Sequence, residues 1–91
     1  MQLTTRDAQV VFRKLDVEEV QSTHHVRGFV KINGVRVLPL HYSRGRKPFP
    51  GHTSEKFRKS LLATVEEIQA LVSCSLDGPE YLSRLAARLD P

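Results

Sequence analysis

The sequence predicts an α+β two-layer domain: a helix, a three-stranded antiparallel meander, then two or three further helices. Three observations predict it. Apolar residues recur at helical spacing near both ends of the chain, and between about residues 17 and 40 the spacing changes to alternation. Two alternating runs are joined by Asn33-Gly34, the strongest short hairpin signal, because a type I′ turn needs positive φ at both central positions. With 91 residues the chain supports a single core, so one domain spanning residues 1–91 is expected, with no deep substrate cavity.

The first element starts at Thr4-Thr5-Arg6-Asp7, which has the form of a capping box. Ala8, Val11, Phe12 and Leu15 then fall at i, i+3, i+4 and i+7, giving a helix with one apolar stripe that ends near Asp16. Strands are expected over Val17–Thr23, His25–Ile32 and Val35–Leu40. Within the second, Val26, Gly28, Val30 and Ile32 share one face while His25, Arg27, Phe29 and Lys31 share the other. One side of the sheet is therefore core and the other basic. From His41 to Gly51, prolines and glycines are interleaved with Arg44, Arg46 and Lys47, which reads as a long basic loop.

Helical spacing returns with Phe57, Leu61, Val65, Ile68 and Val72, where Thr64 and Glu67 either continue one helix or cap a second. Asp77-Gly78-Pro79-Glu80 reads as an N-cap with proline in the first turn. Leu82, Leu85, Ala86 and Leu89 give the final helix, about 77–90, a stripe expected to pack on the domain's own core. Helices gathered on one sheet face leave the other face open and basic. An α-β-β-β-α order is also that of double-stranded-RNA-binding domains, although order alone assigns no function.

Composition narrows the class. The lone Cys74 forms no intrachain disulfide or thiolate cage and reads as a small residue at the core edge. No apolar run approaches the ~20 residues of a membrane span, and Met1 leads into a polar stretch, so a cytoplasmic protein is expected. Net charge is +4, but between His24 and Ser60 nine Lys or Arg face one acid, Glu55, leaving the rest of the chain acidic. Such a concentration is the footprint of a polyanion partner, or of a face that meets an acidic protein, and the plain alternative is a solvated surface.

His24, His25, His41 and His52 match no known ligand spacing, and adjacent strand residues point to opposite faces, so neither metal nor other cofactor is expected. An acid–base reading asks for less. One imidazole takes the proton of a ribose 2′-OH, a second protonates the leaving 5′-oxygen, and cations stabilise the phosphorane. In a hairpin turning at Asn33-Gly34, residues whose numbers sum to about 67 lie opposite, which places His41 across from Val26 and within two positions of His24. His24 is then the candidate base and His41 the candidate acid. Arg27, Lys31, Arg44, Arg46, Lys47, Lys56 and Arg58 are the candidate phosphate contacts. The plain reading makes His24 a half-buried strand histidine bonded to backbone and His41 the first residue of a loop. Phe49, between two prolines, reads as an anchor, and Tyr42 as either an anchor or a base-stacking ring.

The segments "STHHV", "VRVLPLHYSRGRKPFPG" and "SEKFRKSLL" together resemble the HicA family of toxin–antitoxin ribonucleases (YcfA-like mRNA interferases) over residues 3 to about 72. The resemblance implies a dsRBD-like fold, a metal-independent endoribonuclease acting on mRNA, and neutralisation by a HicB-like antitoxin, with a homodimer or a toxin–antitoxin hetero-oligomer as the assembly. The family's "SH" position falls on Thr23-His24 and its "P-x-H" on Pro39-Leu40-His41. Ser22 stands where the family has glycine, the basic loop is longer, and the C-terminal helix is additional. Two other classes stay open from the residues: a non-catalytic RNA-binding module, and a protein-interaction domain with an acidic partner.

Overall fold

Thr4 accepts a hydrogen bond from the Asp7 amide through its hydroxyl, while the Asp7 carboxylate accepts from the Thr4 amide at 2.9 Å, so the capping box starts α1 (Thr5–Lys14). The computed structural model describes residues 2–21, 24–43 and 48–90. Ala8, Val11, Phe12 and Leu15 are buried, as their spacing requires. At Asp16 the chain takes the left-handed conformation, φ +52°, and the Val17 amide returns to the Phe12 carbonyl at 3.0 Å.

A three-stranded antiparallel sheet follows in the order β1 (Glu18–Val20), β2 (His25–Ile32), β3 (Val35–Ser43). β1 is shorter than the expected 17–23, and Ser22 and Thr23 lie outside the described residues. The β2–β3 turn has φ +52° at Asn33 and +79° at Gly34, the two positive values a type I′ hairpin needs. β3 runs three residues past its expected end because the inward alternation of Leu40 and Tyr42 continues. Tyr42 meets Phe12 edge-on at 4.9 Å between centroids and lies near Phe49 at 6.4 Å, so packing carries the strand on past Leu40. His41 therefore belongs to a strand and does not open the loop. Tyr42 and Phe49 are both buried anchors.

The expected register fails by one residue, for a local reason. Ile32↔Val35 and Lys31↔Arg36 sum to 67, but from Val30↔Leu38 onward the pairs sum to 68, because Val37 is bulged out of the ladder. Beyond the bulge, His41 faces Arg27 rather than Val26, and Val26 faces Tyr42.

Phe49 donates its amide to the Leu3 carbonyl at 2.7 Å, and Leu3 donates its own to Ser54 Oγ at 2.9 Å, tying the chain start to α2 (Gly51–Ser60). Thr64 does cap a second helix: its hydroxyl accepts from the Glu67 amide, and the two helices are separated by Leu62 at φ +59° before α3 (Val65–Val72). Cys74 is exposed, correcting its expected place at the core edge. It occupies the left-handed position that ends α3, φ +68°, with the Ser75 amide returning to the Ala70 carbonyl.

Asp77 caps α4 (Gly78–Leu89), with Pro79 in its first turn. Tyr81 and Leu85 are fully buried, the Tyr81 hydroxyl donates to the Leu61 carbonyl at 2.6 Å, and Arg88 grips the buried Glu67 carboxylate at 2.7 Å. α4 thus packs on the domain's own core. The architecture is α+β, with helices on the sheet face that carries Val30, Leu40 and Tyr42. Among the described residues no helix is long and apolar enough to cross a membrane.

Candidate nucleic-acid interface

Alternation along β2 and β3 decides what reaches the face away from the helices. Pairing across the sheet sets Val20, Arg27 and His41 in one row, Glu18, Phe29 and Pro39 in the next, and His25 opposite Ser43 at the end. The rings of His25 and His41 meet edge-on with centroids 5.9 Å apart, and His25 Nδ1 lies 3.2 Å from Ser43 Oγ. Both imidazoles are exposed. His24 is exposed as well, one residue before β2, so it is neither half-buried nor the ring that meets His41. Its neighbour His25 takes that place, because the bulge at Val37 moves His41 one position along the partner strand.

The cations divide into those already engaged and those available. Lys31 and Arg36 both bind Glu18, with Arg36 Nε 2.6 Å from Oε1, and the Arg36 bond holds that carboxyl below the ordinary carboxylate range. Arg58 is also committed: it donates to Glu55 at 2.7 Å and to the Ala63 carbonyl at 2.8 Å, closing the end of α2. Arg27, exposed beside His41, has no ion pair among the described residues. Lys56, on α2, lines with His41, Ser43, Thr53 and Ser60 a narrow cleft between β3 and that helix. Arg44, Arg46 and Lys47 lie outside the described residues. Arg27 and Lys31 thus share the face the alternation gave them, Arg36 joins them from β3, and Glu18 partly neutralises that face.

The chain matches no family model, no curated protein and no solved structure.

Between the rows of the open face lies a hollow of about 260 Å³, lined by Val20, Gln21, Arg27, Phe29, Pro39 and His41. A larger one, about 410 Å³, sits between α1 and β1, but there Arg13 is offset by Asp16 and Glu19, so it offers an anion no net attraction. No three His, Cys, Asp or Glu side chains converge among the described residues. Two facing imidazoles beside a free guanidinium can move protons and hold a phosphate, which is the equipment for phosphodiester transesterification. Reading by residue type missed His25 as the partner of His41. Its strand parity placed it on the correct face, but the pairing required knowledge of the bulge.

Proposed function

We propose that this chain is a HicA-like endoribonuclease of dsRBD-like fold, cleaving mRNA without metal and held in check by a HicB-like antitoxin. The single observation that carries the reading is the His25–His41 ring contact on a cationic, uncovered sheet face, with Arg27 opposite His41. The element order, a helix followed by three antiparallel strands and further helices, is what a dsRBD-like fold requires. The His24-His25 segment supplies the general base that takes the ribose 2′ proton. The resemblance favours His24 for that role, and the ring contact favours His25. His41 protonates the departing 5′-oxygen, and Arg27 stabilises the phosphorane, leaving a 2′,3′-cyclic phosphate.

Incubation of the full chain with RNA in excess EDTA tests this. Cleavage is expected to persist, and His41→Ala, together with at least one of His24→Ala and His25→Ala, should slow it by roughly 100-fold or more while RNA is still bound. Cleavage indifferent to all three substitutions would remove the proposed site. RNA binding without any cleavage would leave a non-catalytic RNA-binding module of the same fold.

A further inference from the structure

The hollow on the open face joins an apolar wall to a cationic rim. Val20, Phe29 and Pro39 form the wall, Arg27 and His41 the rim. Phe29 is half-buried, and its ring is braced by Arg36, whose guanidinium stands 4.6 Å from the ring centroid while bonded to Glu18. Among the described residues of this face Glu18 is the one carboxylate, and it is already held by two cations, so Arg27, Lys31 and Arg36 leave the surface net positive. Since a cavity of roughly 150 Å³ accommodates benzene, a hollow of about 260 Å³ has room for a base.

We infer that this hollow receives one nucleobase of single-stranded RNA, stacked against Phe29 and Pro39, with an adjoining phosphate on Arg27 and the sugar–phosphate chain led to His41. The inference rests on the ribonuclease reading for its ligand class and adds the substrate form. A base inside a duplex presents only its edge, so an apolar wall flanked by a guanidinium is useful only to an unstacked base. Arg27 and His41 face each other across β2 and β3, with Phe29 and Pro39 facing each other in the next row, so base and phosphate sites are two strand residues apart, about 7 Å.

The probe is a single-stranded, fully 2′-O-methylated oligonucleotide carrying one 2-aminopurine, which the chain can bind but not cleave through a 2′-OH. Titrated with the full chain, it should show quenched fluorescence and an affinity that falls with salt. Phe29→Leu keeps an apolar side chain but removes the stacking ring; it should abolish the quenching and weaken binding roughly tenfold. Val20→Glu, at a position already exposed, should weaken binding by a similar factor through the carboxylate it adds to the hollow. Arg27→Gln should flatten the salt dependence by about one phosphate contact. Parental quenching and affinity in both Phe29→Leu and Val20→Glu would overturn the inference, as would a duplex of the same sequence binding as tightly as the single strand, or a polyglutamate peptide displacing the oligonucleotide at equal charge. Binding with quenching in a chain that cuts no RNA would instead defeat the ribonuclease reading and leave this site standing.

Discussion

Leu62 sits in the left-handed region at φ +59°, with 44% of the residue exposed. A β-carbon there is costly, about 1–2 kcal/mol for an L-residue in that region. The partly covered side chain offsets some of that cost, and the contact that uses this turn is made by the backbone: the Leu62 carbonyl accepts from Arg88 at 2.9 Å. Leu62→Gly keeps that carbonyl and relieves the strain. Urea unfolding of this variant should show a gain of at most about 1 kcal/mol, the strain relief being opposed by the lost apolar cover and the freer unfolded chain. A loss instead would mean that the exposed leucine packs more tightly than its exposure indicates. Thr64 hinted at a break before α3, but nothing in the residue type placed the turn at Leu62, because Leu61 and Val65 continue one helical stripe.

At the scale of elements, the junction of α4 with α1 is set by a missing side chain. A β-carbon at Gly78 would fall within the Lys14 carbonyl, which is backbone and cannot swing aside. Gly78→Ala should therefore push the first turn of α4 off the end of α1, costing about 3 kcal/mol and lowering the melting temperature. An unaffected melting temperature would show that α4 shifts freely. The helices, the hairpin and the capping residues Thr4, Thr64 and Asp77 were legible because each depends on local chemistry: an oxygen three residues before an amide, or a turn needing positive φ. What was not legible depends on contacts distant in sequence. β3 reaches Ser43 because Tyr42 packs on Phe12, thirty residues earlier, and the register slips because Val37 is squeezed out of the ladder. The basic face was half legible: parity put Arg27 and Lys31 together, yet nothing local revealed that Glu18 would come across the sheet to neutralise part of it.

For the molecule as a whole, one buried carboxylate governs acid stability. Arg88 hydrogen bonds, aided by the Thr64 amide and Arg84, lower the Glu67 carboxyl from 4.5 to about 2. Because the folded value lies below the unfolded one, this stabilisation is complete above about pH 4.5 and disappears as pH falls from there toward 2. The difference amounts to about 3 kcal/mol, a large fraction of the roughly 5–14 kcal/mol margin of a chain this small. Denaturant midpoints measured from pH 7 to pH 2.5 should fall accordingly. Glu67→Gln should be less stable at neutral pH by about 2 kcal/mol and lack that part of the acid-dependent decline. An unchanged decline in this variant would place the acid sensitivity elsewhere. The bulged Val37 has a consequence of the same reach. Were that single residue taken into the ladder opposite Val30, every later β3 side chain would turn over: the His41 ring would swing in among the helices, and the Tyr42 phenol would come out to stand by His25. One surplus residue in a nine-residue strand thus determines whether the solvent side of this molecule displays a nitrogen ring or a hydroxyl.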